Sequence, residues 1–555
     1  MWVVTVGVTP RQADVFRSTT GFVGDAVADD SVWSVLHREC HVLFPDEAFA
    51  DLFQATGRRS VPPRIVAVVM VLQRFLGMSD REAVSAFQFD ARWKYACGGL
   101  DFDYPGFAHT VLVDMRSRLA RSAAPDRIFE VTLGVAREAG LVGLKRVMDS
   151  APIYDAVSTQ DTVTMIRSAI RGLLKAASSG LEGELRAVLV RDDDYTAAGK
   201  PVCDWDDPHD RTVLVDALAV DALACLDLLD GQELTGPVTQ AAGLLATVVG
   251  QDLETDDDGR FVIAWRVAKD RVISTVDPDA RHGHKTAARS FDGYKGHIAE
   301  DPDSEIITAT IVTPGNVGDA AVANDLIDDI LPTDTDTDTG DSDGDGDGDG
   351  DGDGDGDGDG DGDDEAEVPV VYGDSAYGTG GMQQALTDAG VESRCRTQQP
   401  VNRNGRFSKA KFNIDLDADT VTCPNNVTVT IRRSNDGTNG TAAFGVVCGE
   451  CPLREACTTS KTGRTISVGQ FEAALAAARQ RQTDSGWQAD YRATRSKVER
   501  KLAHLMFRKH GGRRARVRGQ TKVAADFALL AAARNIARLG ALGIRSTPTG
   551  WTAAT

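Results

Sequence analysis

No apolar run in this chain is long enough to cross a bilayer, and the first residues lack the basic-then-apolar layout of a secretory leader. These absences argue against a membrane or exported protein and place it in the cytoplasm. The sequence also lacks the even, regularly spaced cysteines of a disulfide framework. It has nine, an odd number with clustered spacing, which in a cytosolic chain points to thiols or a metal site. Residues 332–367 contain eighteen acids and no Lys or Arg. A core cannot form from that Thr-Asp and Asp-Gly repeat, so a solvated, disordered acidic loop is expected. Its lack of a periodic apolar residue excludes a calcium-binding roll. The repeat supplies eighteen of the twenty-three units of net negative charge, leaving about −5 for the rest of the chain. The overall acidity is therefore local and does not exclude a nucleic-acid partner.

What is present is an ordinary globular composition, 42% hydrophobic and 26% charged over 555 residues, enough for two to four domains. Residues 1–60 are poorly patterned. Helical spacing begins after Pro62, with Ile65, Val68, Val69, Leu72 and Phe75 on one stripe and Gly77 as a break. Ser79 to Glu82 reads as a capping box, and a further helix is expected from Thr110 to Leu119. Residues 61–135 thus form a helical N-terminal domain, either a DNA-binding helix-turn-helix or a small structural bundle. Val142–Asp149 reads as a short strand ending at Asp149, and 161–260 as a helical insertion. Strands are expected at Phe261–Val267, Tyr294–Ala299 and Ile306–Val312, and a helix near Ala320–Leu331. After the acidic repeat, a buried strand ends at Asp374 and a helix covers Met382–Ala389. Alternation of strand and helix in 140–160 and 261–400 predicts an α/β core. Residues 401–470 form a Cys-rich insertion, and 471–545 return to helices, the last running from Val523 to Leu539 with Gly540 as its stop.

Two aspartates each follow strand-like residues and precede Ser-Ala: Asp149 in Val147-Met-Asp-Ser-Ala-Pro and Asp374 in Tyr372-Gly-Asp-Ser-Ala-Tyr. Carboxylates at strand ends project into the crevice of an α/β sheet. Two of them can bridge a pair of Mg²⁺ ions, one serving the nucleophile and the other the leaving oxygen of a phosphoryl transfer. Glu499 is the candidate third acid. It shares a helical stripe with Tyr491 and Arg495, just before the basic run Arg508–Arg518. Simpler readings compete. Asp149 and Asp374 can cap turns, and Arg495–Glu499 can be a surface ion pair worth about 0.3 kcal/mol. Asp155, Asp277, Asp279 and Glu472 are rival ligands. On the strand after a turn, Tyr294, Lys295 and His297 are candidates to face a scissile phosphate, although a lone His on a strand is more often structural. The loop Arg281-His-Gly-His-Lys285 is a further candidate DNA contact. Arg513 and Arg514 suit a DNA backbone. Cys423, Cys448, Cys451 and Cys457 have knuckle spacing that suits a closed, structural Zn²⁺ site.

Together, Val147–Tyr154, Asp277–Arg281 running on to Gly293–His297, Val371–Gly378 and the Tyr491–Glu499 helix make the chain resemble prokaryotic insertion-sequence transposases of the Asp-Asp-Glu type. The closer likeness is to the group with a helical N-terminal domain and a four-cysteine insertion before the last acid. The resemblance implies a ribonuclease-H-like catalytic core with Asp149, Asp374 and Glu499 holding two Mg²⁺ or Mn²⁺ ions. It implies DNA contacts from Tyr491 and Arg495 and from a basic residue further on, Arg508 or Lys509. It also implies double-stranded DNA partners, both terminal inverted repeats and target, a homodimer on paired ends, and a nucleoid-associated location. The rival expectations are a non-catalytic zinc-containing DNA-binding protein and a ribonuclease-H-like nuclease that cuts without joining.

Overall fold

The computed structural model describes residues 7–8, 17–54, 56–57, 59–286, 288–331, 367–401, 405–507 and 510–554. Nearly all of the acidic repeat, together with Arg508 and Lys509, lies outside the described residues. Six longer helices come first: α1 (Val32–Leu43), α2 (Pro63–Leu76), α3 (Asp80–Phe89), α4 (Ala91–Ala96), α5 (Thr110–Leu119) and α6 (Arg127–Glu138). Gly77 ends α2 at φ +68°, a left-handed turn that glycine adopts without steric cost. Ser79 and Glu82 close a reciprocal capping box on α3.

A six-stranded mixed sheet forms the centre. Its strands are β1 (Lys145–Tyr154), β2 (Arg281–Thr286), β3 (Arg289–Glu300), β4 (Ile307–Pro314), β5 (Val370–Gly373) and β6 (Glu392–Cys395). The order is β2–β3–β1–β5–β6, with β4 also paired to β3. β1 runs antiparallel to β3 and parallel to β5, and β5 is parallel to β6. Between β1 and β2 stand α7 (Thr162–Ala176), α8 (Ser179–Val188), α9 (Pro208–Leu229) and α10 (Gly236–Asp252), which bury a core of their own around Ile166, Ile170, Leu218 and Leu245. Helix α11 (Gly380–Asp388) joins β5 to β6. Small three-stranded sheets fill 413–468 around a separate core of Phe412, Val421, Phe444 and Ile466. The chain closes with α12 (Glu472–Arg481), α13 (Ser485–Leu505) and α14 (Gln520–Ala541).

Several expectations are corrected. The stretch before residue 61 is not featureless: α1 buries Trp33, Val35, Leu36 and Leu43. The N-terminal helices have no core of their own, because one apolar cluster joins α1, α2 and α6 to β1, β3, α13 and α14. Within it, α2 is buried on every side from Ile65 to Leu72, so it is a core helix and presents no face to a DNA groove. Phe261–Ile263 forms a hairpin with Leu253–Thr255 beside the helical insertion and not a strand of the central sheet. The helix expected at Ala320–Leu331 is broken into three short turns. Gly540 does not stop α14; the helix passes through it, and a Cβ there would lie 2.5 Å from the Asp30 carbonyl oxygen. That glycine permits close packing against the start of α1.

Candidate active site

Asp149 is not at the end of its strand. β1 continues through Pro152 to Tyr154, paired residue by residue with β3. Pro152 is tolerated because residues two apart share an edge: Tyr154, two positions on, turns its N–H away from β3 to the Arg513 carbonyl, so the Pro152 nitrogen also faces away from β3. The other edge of β1 pairs with β5 only as far as Val147–Tyr372. Asp149 therefore lies just past the last rung between two parallel strands, where the sheet opens. Asp374 follows β5 directly and reaches the same opening. Its Oδ1 also accepts from the Ala376 N–H at 2.8 Å, so it caps its turn as well.

Helix α13 packs across this opening and supplies Arg495. The Arg495 guanidinium is 2.9 Å from Asp149, 4.0 Å from Asp374 and 4.0 Å from Glu499, and it donates to the Met148 carbonyl at 2.8 Å. Three acids from β1, the end of β5 and α13 thus meet around one cation. Side-chain exposure rises from 15% at Asp149 through 44% at Asp374 to 63% at Glu499, so the cluster runs from the sheet out to solvent. Burial pushes the Asp149 pKa up, and the neighbouring Arg495 only partly offsets it. Burial also works against the Arg495 charge, but Asp149 and Asp374 outweigh it and hold its pKa above the usual range. Among the described residues no three His, Cys, Asp or Glu side chains converge closely enough to hold a metal ion as they stand. At the acids the reason is visible, since a guanidinium stands among them. The three side chains offer oxygen donors only, the kind that a hard divalent ion takes.

Sequence reading missed Asp319. It follows β4 by a turn, the same signal that marks Asp374, and accepts from Ser150 Oγ at 2.7 Å and Lys295 Nζ at 2.8 Å. Lys295 is thereby ion-paired and also donates to the Val317 carbonyl, so it does not stand free for a phosphate. His297 is fully buried between Tyr377 Oη and Thr313 Oγ1, with its pKa driven down to about 4 by burial. It is a neutral structural link from β3 and β4 to the Asp374 turn, and the expected DNA contact is corrected. Tyr294 is buried too and donates to Asp277 at 2.6 Å. The rival acids have other work. Asp277 and Asp279 accept the Gly519 and Gln520 N–H groups and cap α14, whose N-cap position is a glycine without a side chain. Glu472 is paired with Lys409 and Arg479.

Arg513 and Arg514 are exposed, and the backbone there is pinned to the end of β1 by hydrogen bonds with Tyr154 on both sides. Arg513 also lies over the Tyr154 ring. Arg513 and Arg514 therefore lie beside the end of the strand that carries Asp149, five residues and about 17 Å along it. Tyr491 stacks on Trp487 and its hydroxyl donates to the Gly373 carbonyl at 3.3 Å. Cys423, Cys448, Cys451 and Cys457 line one small cavity of about 30 Å³. Burial raises the Cys457 pKa, and the other three cysteines add to the rise.

Among the described residues no helix is long and apolar enough to cross a membrane. A family model described as transposase DDE domain matches residues 422–540, and one described as transposase domain (DUF772) matches 27–118. The first match holds Glu499, Arg495 and the four cysteines, whereas Asp149 and Asp374 lie outside both. No curated protein and no solved structure matches the chain. Two transposase models match, one near each end of the chain, and they support an insertion-sequence transposase of the Asp-Asp-Glu type.

Proposed function

We propose that this transposase cuts the ends of its element and joins the freed 3′-hydroxyls to target DNA at Asp149, Asp374 and Glu499, on a ribonuclease-H-like core. The observation that carries this reading is the shared contact of all three acids with Arg495. Carboxylates brought from three distant segments to one cation form the donor set that two Mg²⁺ or Mn²⁺ ions require. Bound there, the ions would supply charge neutralisation and activation of the attacking and leaving oxygens. Asp149 and Asp374 would anchor them from the sheet, and Glu499 would close the site from the solvent side. Arg495 has to release Asp149 as they bind, which frees its guanidinium for a DNA phosphate one helical turn from Tyr491. Arg508, Lys509, Arg513 and Arg514 would follow the DNA backbone, and a homodimer would hold the two ends together. Asp319 would hold Ser150 and Lys295 in place beside Asp149.

We read the four cysteines as a structural zinc site. The supporting observation is that four cysteines line one cavity in a segment with a small core of its own.

The test is strand cleavage and joining on DNA carrying the element's ends, with Mg²⁺, by Asp149→Asn, Asp374→Ala and Glu499→Ala variants. Each should lose cleavage while still binding end DNA. Full cleavage by Glu499→Ala would sink the assignment. Cleavage without joining by the unaltered protein would favour a nuclease.

A further inference from the structure

Strand β2, at the edge of the central sheet, carries two histidines that the chemistry above does not use. His282 and His284 are two residues apart, so both side chains stand on one face of the strand. Gly283 between them faces the other way, where a Cβ would lie 2.3 Å from the Gly315 carbonyl oxygen. That face is closed by the turn after β4. The histidine face looks to solvent, with the His282 side chain 51% exposed and His284 exposed as well. The two rings meet edge to face, with centroids 4.9 Å apart and planes at 90°.

Two imidazoles on one tetrahedral ion have centroids about 5 Å apart, given metal–nitrogen bonds of about 2 Å. The pair already stands at that spacing. One ring is also oriented from behind. Asp292, opposite His282 on β3, accepts from His282 Nδ1–H at 2.7 Å and from Thr159 Oγ1 at 2.7 Å. With its proton on Nδ1, His282 keeps the Nε2 lone pair for a ligand. A carboxylate behind the ring is the usual outer support of a metal-binding histidine. Among the described residues no third His, Cys, Asp or Glu closes on the pair. Imidazole nitrogens suit Zn²⁺, Ni²⁺ and Cu²⁺, whereas Mg²⁺ prefers oxygen. The pair therefore differs in kind from the three acids and from the four cysteines.

We propose that His282 and His284 bind one divalent first-row transition-metal ion, through Nε2 of His282 and a ring nitrogen of His284. Asp292 holds the first ring and water completes the shell. The ion lies at the end of β1, since the Asp292 carbonyl accepts the Asp155 N–H at 2.8 Å, one residue past the Tyr154 that is bonded to Arg513. It adds positive charge on the edge of the sheet where Arg513 and Arg514 lie. The inference does not depend on the DNA-cutting reading.

The test titrates the full-length protein with Ni²⁺ in a calorimeter, in excess Mg²⁺. The unaltered protein should bind one more Ni²⁺ per chain than His282→Ala or His284→Ala. Asp149→Asn and Cys451→Ser should keep that ion, which separates it from the acids and the thiols. Asp292→Asn should hold it about tenfold more weakly. On the unaltered protein, saturating Ni²⁺ should protect both histidines from diethyl pyrocarbonate, a readout that needs no variant to fold. Equal Ni²⁺ binding by the unaltered protein and His282→Ala would overturn the proposal, as would full modification of both histidines in the presence of Ni²⁺.

Discussion

Arg495 reaches across the sheet opening to Asp149 at 2.9 Å, with 8% and 15% of the two side chains exposed. This is a buried ion pair made by the residue expected to touch DNA and the residue expected to hold metal. The two roles cannot be filled at once in this arrangement. Removing the guanidinium should therefore favour metal. In Arg495→Gln, Mn²⁺ affinity without DNA should rise, on the order of tenfold, while strand cleavage falls. Titration calorimetry checks the first and a cleavage assay the second. Weaker Mn²⁺ binding by the variant would contradict the displacement.

Two glutamates in the C-terminal helices should respond in opposite ways. Glu499 is 63% exposed, so Glu499→Ala should leave stability within about 0.5 kcal/mol and abolish cleavage. Glu472 has an 8% exposed side chain and joins Lys409 to Arg479. Glu472→Ala should cost about 1–3 kcal/mol in a denaturant titration and leave the chemistry of the folded protein intact.

Glu300 should make stability depend on pH. It is fully buried, neither carboxylate oxygen has a hydrogen-bond partner, and burial raises its pKa to about 8 against the pull of Lys501. The folded state thus keeps a proton that the unfolded chain releases near pH 4.3. The associated stability is fully present below that value and is lost as pH rises through about 8. Glu300→Gln should melt above the unaltered protein at about pH 8.5 and alongside it at about pH 4. Parallel melting curves at both pH values would refute this.

The cysteine cavity gives a metal-content prediction. The purified protein should carry about one zinc per chain, and chelation should expose residues 413–468 to protease before the central sheet. Cys451→Ser should mimic the chelated protein. A metal-free protein whose proteolysis is unchanged by chelator would leave the four thiols as ordinary side chains.

Local structure was legible wherever it depends on spacing along the chain. The capping box at Ser79–Glu82, the left-handed stop at Gly77 and the strand leading to Asp374 all follow from neighbouring residue types. The stripe carrying Tyr491, Arg495 and Glu499 is of the same kind, since helical periodicity fixes it. Reading went astray where the answer lies across the fold. The strand expected to end at Asp149 runs on through Pro152, whose tolerance depends on which edge of β1 is left unpaired. Tyr294, Lys295 and His297 were candidates to face a scissile phosphate; Asp277, Asp319 and Thr313 have taken them.

The sequence by itself determined which acids, cations and thiols are present and which of them share a helix face or follow a strand. Spacing carries that much because backbone geometry repeats every two or 3.6 residues. Only the tertiary structure decided that Asp149, Asp374 and Glu499 share Arg495, that Asp277 and Asp279 cap α14, and that Asp319 holds Lys295. Those pairings join segments far apart in the chain. Which charge meets which is fixed by how the sheet and α13 close over one another, and by the cost of leaving a buried charge without a partner.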